Sequence, residues 1–376
     1  MALDGSKKRI DDGNPDFRSL VTDNGLYIDK TRYIKELEDI GKFNLVLRPK
    51  RFGKSLFTSM LMYYYDAEYK DEFDKLFGGL YIHEHKTQLA NSYNVLKFDF
   101  SGISSDPDRL ENGFVFAVRL ALESLIRSKK LGFALDKNIT TADQLIRAFL
   151  SMYKSVTDTK LYLLIDEYDN FANAVLGENF NFFKDITSKS GFVRTVYEVF
   201  KEYSGNILDR VYITGVTPIT LDALASGFNY VINRSLDPRL SDIIGFTEDE
   251  VSCMVDYYGI DALHKDALRE YYDGYLFNNA PGSHNKVYNS TLVFYYLAYL
   301  IGTDTPPVNL IDARVQSDPG TVRKLIDLYH DDEEKLKILD AIESREPLAA
   351  SIVLKFESES FMESRDDLIS MLYYLG

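Results

Sequence analysis

The sequence predicts an α/β protein whose core is a parallel β-sheet, followed by a smaller all-α region. Apolar strand-like runs alternate with long helical patterns in the first part of the chain, which is typical of a parallel sheet covered by helices. Beyond about residue 236 the strand signals fade and helical periodicity dominates. We therefore expect a flexible N-terminus over residues 1–14, an α/β domain over 15–235 and a helical region over 236–376.

The most informative segment is a strand–loop–helix pattern near residue 50. An apolar run leads into a basic loop that closes with Gly53, Lys54 and Ser55 and opens a helix. This pattern is typical of the end of a P-loop, whose backbone N–H groups bind the phosphates of ATP or GTP. Lys54 is then predicted to contact the phosphates, and the Ser55 hydroxyl to ligate Mg²⁺. The predicted nucleotide-binding residues are Arg48, Pro49, Lys50, Arg51, Phe52, Gly53, Lys54, Ser55 and Leu56.

The loop departs from the usual G-x-x-x-x-G-K-[ST] pattern at its first glycine, where this chain has Arg48. A Gly-Lys-Ser sequence also occurs by chance, and Gly53 could simply end a loop before a helix. The order of strand, loop and helix favours the phosphate-binding interpretation. Under it, Arg51 joins Lys54 in neutralising charge on the transferred phosphate.

A second apolar run, residues 161–165, ends in Asp166 and Glu167. Five consecutive apolar residues indicate a strand buried on both faces, and ligands of open α/β sheets bind at the carboxyl ends of the strands. Asp166 is predicted to hold the Mg²⁺ shell, directly or through water, and Glu167 to act as general base toward the attacking water. The alternative is an acidic helix start after a core strand, continued by Tyr168 and Asp169.

A third short run, residues 209–217, is strand-like and ends in polar residues. Many nucleotide hydrolases place a polar residue at the end of the strand between the P-loop strand and the acidic strand. Thr214 is predicted to bind the γ-phosphate or the lytic water, with Thr217 as the second choice. The alternative is that Thr214 ends a strand and Gly215 makes the turn.

Together these segments resemble the AAA-ATPase-like proteins common in bacteria, which are often fused to a PD-(D/E)XK nuclease-like domain. The arginine-rich loop without its first glycine is the form found in that family, while Ser290 stands where the family has proline. The resemblance runs from about residue 15 to about residue 300. The matching segments are residues 26–31, 48–55, 164–169, 213–216, 245–251, 272–277 and 287–290.

The resemblance implies an additional-strand P-loop core followed by a smaller helical lid, and an ATPase that uses Mg²⁺ and couples hydrolysis to lid movement. It favours ATP over GTP, and the chain has no guanine-specific Asn-Lys-x-Asp pattern. Arg234 and Arg239 lie where such lids can present an arginine to the γ-phosphate, although pairing with carboxylates is the alternative. The nuclease-like region is expected to be missing, because the chain stops at Gly376 within a predicted helix. Regulation of such a domain or of a separate partner is the implied role.

Composition limits the function classes. A net charge of −15 argues against a protein that grips a nucleic acid backbone, and the basic cluster lies in the loop itself. A single cysteine, Cys253, excludes an intramolecular disulfide and, with no apolar N-terminal signal, favours a cytoplasmic location. The longest apolar run, residues 292–301, is too short to span a membrane.

Two competing functions remain open from the sequence. The first is a nucleotide-gated scaffold with little hydrolysis, whose missing catalytic group would come from a protein partner or a second copy. The second is a nuclease, for which residues 333–335 are a weak signal because charged runs are usually solvated helix faces.

Overall fold

The computed structural model describes residues 7–187, 191–219, 230–278, 280, 286–312, 319–356 and 361–376. These residues form two compact units, each built from several stretches of chain. The first unit comprises residues 1–44, 51–95 and 234–316, and the second comprises 45–50, 96–233 and 317–376. The division predicted at residue 235 stays a prediction.

The helices and strands alternate as the sequence predicts. In chain order the α-helices are α1 (Phe17–Thr22), α2 (Arg32–Ile40), α3 (Lys54–Tyr65), α4 (Phe73–Phe77), α5 (Tyr81–Glu84), α6 (Pro107–Ser128), α7 (Ala142–Val156), α8 (Asn170–Glu178), α9 (Phe180–Thr187), α10 (Phe192–Tyr203), α11 (Glu248–Tyr258), α12 (Leu263–Tyr272), α13 (Ser290–Thr303), α14 (Pro319–Asp327), α15 (Asp332–Glu343) and α16 (Arg365–Leu375). The strands are β1 (Phe43–Leu47), β2 (Asn94–Asp99), β3 (Leu161–Asp166), β4 (Leu208–Gly215), β5 (Ile232–Asn233), β6 (Asp273–Tyr275) and β7 (Val287–Tyr288).

The second unit contains most of a five-stranded sheet with the order β2-β3-β4-β1-β5. β3 and β4 pair in parallel, from Leu161 opposite Leu208 to Ile165 opposite Ile213. Every residue of β3 is buried, and all but one residue of β4 are buried. A strand covered on both faces has no solvent side, which explains the continuous apolar runs in the sequence. The α/β class is confirmed.

Helices of the second unit cover this sheet. Asp106 starts α6, because its side chain accepts the N–H of Asp108 and Pro107 occupies the first turn, where its missing N–H costs nothing. α6 then buries one stripe of apolar residues and packs on α7, which packs on α10. The α6 stripe consists of Leu110, Phe114, Val118, Leu122 and Leu125.

The first unit has its own core, in which α11, α12 and α13 bury their apolar faces together. Thr247 and Glu250 form a capping box that starts α11, so two N–H groups at the helix start are satisfied by side chains. The expectation of an all-α region after residue 236 is wrong in one respect, since β6 and β7 form a two-stranded antiparallel sheet. Strands of three and two residues are too short to show an alternating pattern. Among the residues described, no helix combines the length and apolarity that crossing a bilayer requires.

Candidate functional site

Arg48, at the position of the missing first glycine, lies inside the second unit. Its side chain is fully buried, and its Nη1 donates to the carbonyl oxygen of Leu47 over 2.8 Å. Its backbone N–H donates to the carbonyl oxygen of Gly215 over 3.1 Å. Pro49 is also buried, whereas Lys50 is exposed. The residue that replaces glycine therefore extends the sheet and buries its cation.

The rest of the predicted loop lies in the first unit and turns into α3. Gly53 precedes the helix with φ +100°, a conformation that side chains disfavour. Arg51 is also left-handed, with φ 67°, and its carbonyl oxygen accepts the Oγ1 hydroxyl of Thr291 over 2.8 Å. Lys54 begins α3 and is 3% exposed, and Ser55 follows half-buried. A glycine turn that delivers a lysine and a serine to a helix N-terminus is the local shape that phosphate binding needs.

A pocket in the first unit borders this loop and contains about 460 Å³ of open space, part of it continuous with solvent. Its lining residues are Leu26, Tyr27, Ile28, Lys30, Phe52, Gly53, Leu56, Phe57, Ile243, Ile244, Gly245, Phe246, Ser290 and Phe294. Most of these side chains are apolar, and the polar groups among them are the Lys30 ammonium and the Tyr27 and Ser290 hydroxyls. The pocket therefore offers an apolar surface beside the start of α3.

Phe52 and Lys30, which both line this pocket, also make contacts outside its lining. The Phe52 ring meets Tyr275 edge-on at 4.8 Å between ring centroids. Lys30 lies 2.7 Å from the carboxylate of Glu250 and donates to the backbone carbonyl of Asp242 over 2.9 Å. Burial lowers the pKa of Lys30, and the Glu250 charge opposes that shift.

The two predicted acids occupy different environments at the end of β3. Asp166 is 1% exposed, and its carbonyl oxygen accepts the N–H of Phe100 over 3.2 Å. Glu167 is half-buried and left-handed, with φ 53°. Such a conformation is uncommon for residues other than glycine and concentrates at functional sites. Asp166 is therefore buried at the last position of β3, whereas Glu167 lies just beyond the strand and is half-buried.

Thr214 links β4 to β1. It is fully buried, and its Oγ1 donates to the carbonyl oxygen of Val46 over 2.9 Å. Together with the Arg48–Gly215 hydrogen bond, this contact places the ends of β1 and β4 at one edge of the sheet. The parallel pairing with β4 brings the end of β3 to the same edge. The predicted contact of Thr214 with phosphate or water stays a prediction.

The sequence did not predict the hydrogen bonds that the Asp169 carboxylate makes. It is fully buried, and its carboxylate accepts the backbone N–H groups of Val216, at 3.0 Å, and Thr217, at 2.7 Å. It also accepts the Thr217 hydroxyl, at 2.8 Å, and the Asn173 side-chain amide, at 2.5 Å. Burial and the charge of Glu167 raise the pKa of Asp169 despite these donors. The apolar run that precedes it predicts burial, but nothing in the sequence identifies residues 216 and 217 as its partners.

Arg234 and Arg239, the predicted phosphate-reaching arginines, both pair with Asp237. The distances to its carboxylate are 3.3 Å for Arg234 and 2.7 Å for Arg239. Arg234 also donates to the carbonyl oxygen of Ile40 over 3.0 Å. These contacts favour the structural alternative for both residues.

The nuclease signal at residues 333–335 lies in α15, where its charges pair along the helix. Glu333 contacts Lys337 at 2.7 Å and Lys335 contacts Asp332 at 3.0 Å. Within the described ranges, no group of three or more His, Cys, Asp or Glu side chains is arranged to hold a metal ion.

Comparison with known proteins places the chain in a family. The sequence model of the AAA-ATPase-like family, described as "Predicted AAA-ATPase", matches residues 12–225, which is more than half of the chain. The chain is also similar to a protein of Azotobacter chroococcum mcd 1 named "Uncharacterized protein in vnfD 5'region", with 28% identity over 276 residues, or 72% of this chain. This chain spans about half of that relative, since the match covers 49% of it. The predicted resemblance is confirmed, and the chain belongs to the AAA-ATPase-like family.

Proposed function

We propose that this protein binds ATP with Mg²⁺ and hydrolyses it. The observation that carries the proposal is the strand order, in which β4 separates β1 from β3 and all three end at one edge of the sheet. The phosphate-binding loop follows β1, and the acid pair ends β3. In open α/β sheets, ligands bind at the carboxyl ends of the strands.

Each residue then has a role set by its chemistry. Lys54 and Arg51 neutralise phosphate charge, while Ser55 and Asp166 supply the oxygen ligands that Mg²⁺ prefers. Bound Mg²⁺ supplies charge neutralisation on the transferred phosphate. Glu167, which is half-buried beside the buried Asp166, orients the attacking water and takes its proton.

The apolar pocket beside Gly53 supports a nucleotide over a simple polyphosphate. Like most small-molecule sites, it is mostly apolar with a few polar groups. We assign this pocket to the base, since it borders the start of α3 and is lined by Gly53 and Leu56 of the predicted phosphate-binding loop. Loop residues and α3 would then receive the phosphates.

A second candidate function is a nucleotide-gated scaffold with slow turnover. It is favoured by Thr214, whose hydroxyl donates to the Val46 carbonyl within the sheet and so already has a structural acceptor. In either case we propose that nucleotide state moves the helical residues after 236 and regulates a protein partner or a second copy of the chain. Binding of ATP with no turnover, or turnover that rises with protein concentration, would favour this candidate.

The test of the proposed function is Mg²⁺-dependent release of phosphate from ATP by the purified chain. Lys54→Ala removes the predicted phosphate contact, so both binding and turnover should fall by at least about 10-fold, as expected for loss of a charged hydrogen bond in a water-excluded site. Turnover at the parental rate in Lys54→Ala would contradict the proposal.

A further inference from the structure

The Asp169 carboxylate forms a hydrogen-bonded connection between the segment after β3 and the segment after β4. It accepts the backbone N–H groups of Val216 and Thr217 and the Thr217 hydroxyl. Beside it, the Tyr168 N–H donates to the carbonyl oxygen of Thr214 over 3.1 Å, and the Tyr168 hydroxyl donates to that of Thr217 over 2.6 Å. The pairing of the two strands thus continues past their ends through side chains.

From its position before α8, Asp169 would be expected to cap that helix. The structure shows that its side chain does not do so. Asp169 directly precedes α8, where an aspartate usually accepts an N–H of its own helix. The Asp169 side chain makes no such cap bond. Its donors are 47 and 48 residues away in the chain, apart from the Asn173 amide. The Asp169 carboxylate is fully buried and makes no cap to its own helix. It therefore joins the segment after β3 to the segment after β4.

The fit around Asp169 depends on the absence of a side chain at Gly215. A Cβ atom at Gly215 would lie 2.2 Å from Asp169 Oδ1 and 2.4 Å from the Tyr168 ring. Neither distance is possible between non-bonded atoms, so the two segments approach as closely as backbone allows. Glu167 lies between the β3 end and this contact, and it is the residue with the left-handed backbone.

We propose that Asp169 is a positioning residue for hydrolysis, which holds the backbone of Glu167 in its left-handed conformation against the end of β4. Glu167 would otherwise be free to relax, because its conformation is disfavoured for a side chain that large. The inference rests on the proposed function, since it assigns Glu167 to the attacking water. Asp169 itself contacts neither nucleotide nor water in this account.

The test compares Asp169→Asn with the pair Thr217→Val and Thr217→Ser on the purified chain. An asparagine amide would face N–H donors, so at least one hydrogen bond is lost without a change of size. Thr217→Val removes only the hydroxyl donor, and Thr217→Ser retains it. We expect kcat to fall at least about 10-fold in Asp169→Asn, to fall less in Thr217→Val and to fall less again in Thr217→Ser, with nucleotide Kd within about 3-fold throughout.

Hydrogen exchange of the Val216 and Thr217 amides gives a readout that needs no nucleotide. Both amides should be protected in the parent and exchange faster in Asp169→Asn, even where the thermal midpoint changes little. Parental kcat in a folded Asp169→Asn protein would overturn the inference while leaving the ATPase proposal intact. Equal losses of kcat and nucleotide binding would also overturn it, because they indicate a merely structural residue. A parent without turnover would overturn the proposed function, and this inference with it.

Discussion

The backbone N–H of Arg48 donates to the carbonyl oxygen of Gly215, 3.1 Å away. This bond joins the first residue of the predicted phosphate loop to the end of β4, and the Arg48 side chain lies fully buried beside it. In the usual P-loop pattern the residue at this position is glycine, which has no side chain. Here the position is filled by a buried cation, so the loop begins from a fixed point in the sheet.

Removal of the Arg48 side chain should destabilise the protein. Arg48→Ala deletes the donor to the Leu47 carbonyl and opens a cavity in a fully buried place. We expect the free energy of unfolding to fall by about 2–4 kcal/mol, the usual cost of cavities and lost charged hydrogen bonds. Urea denaturation measures this change. Lys50→Ala, an exposed cation two residues along, is the control and should change stability by less than about 0.5 kcal/mol. Similar losses in both variants would contradict the account of Arg48.

Gly215→Ala should be poorly tolerated, since its Cβ would overlap Asp169 Oδ1 at 2.2 Å. We expect the free energy of unfolding to fall by about 1–3 kcal/mol, the usual cost of overpacking a buried region. The Thr217 amide should also exchange hydrogen faster. Gly102→Ala is the matched control, because a Cβ there meets nothing within 4 Å. A Gly215→Ala protein as stable as Gly102→Ala would show that the Asp169 contact is looser than described.

The apolar pocket should discriminate a nucleotide from bare polyphosphate. Ile28→Trp fills part of the pocket with a larger side chain, so ATP should bind at least about 10-fold more weakly, while inorganic tripolyphosphate should bind as in the parent. Isothermal titration measures both affinities. Ile103→Trp, at a half-buried position outside the pocket lining, is the control for the added bulk. Equal weakening of both ligands by Ile28→Trp would contradict the assignment of this pocket to the base.

Asp242 should make the first unit sensitive to acid. Burial alone would raise the pKa of Asp242, but the hydrogen bond from Tyr33 and the charge of Arg32, 2.5 Å away, lower it below its ordinary value. A carboxyl whose pKa is lower in the folded state stabilises the fold at neutral pH, and this contribution disappears as the pH falls through that lowered pKa. Asp242→Asn should therefore lower the free energy of unfolding at pH 7 by about 1 kcal/mol, and by less as the pH is lowered to 3.

Thermal scans of the parent, Asp242→Asn and Arg32→Gln at pH 7 and pH 3 test this direction of the pH dependence. Because Arg32 is one source of the lowered pKa, the two substitutions should be less than additive when combined at pH 7. A deficit of Asp242→Asn that is as large at pH 3 as at pH 7 would assign the loss to packing and not to the charge.

Much of the architecture could be predicted because buried strands and long amphipathic helices leave strong patterns. The acidic strand, predicted from the apolar run 161–165, is β3 (Leu161–Asp166), and the helix predicted at the end of the sequence is α16 (Arg365–Leu375). The pattern is weaker in α8 and α9. Their Asn and Phe residues disguise a buried stripe that includes Phe171, Val175 and Leu176.

The candidate site could be predicted only in part. Lys54 and Asp166 follow from motifs that are local in sequence, whereas the role of Asp169 depends on donors at residues 216 and 217. Since a single sequence carries no signal for which distant amides a buried carboxylate accepts, Asp169 looked like an ordinary helix start. The lining of the pocket at residues 243–246 was hidden for the same reason.

ATP turnover of the Glu167→Gln variant, measured beside the parent and Lys54→Ala, tests whether this protein hydrolyses ATP with Glu167 as the general base. Glutamine has nearly the same size as glutamate and must adopt the same left-handed backbone conformation at position 167, but its side chain cannot take a proton from water. We expect Glu167→Gln to bind Mg²⁺–ATP with the parental Kd and to hydrolyse it at least about 100-fold more slowly, the usual contribution of a general base, while Lys54→Ala loses binding. Turnover by Glu167→Gln at the parental rate, or a parent that binds no nucleotide, would contradict it.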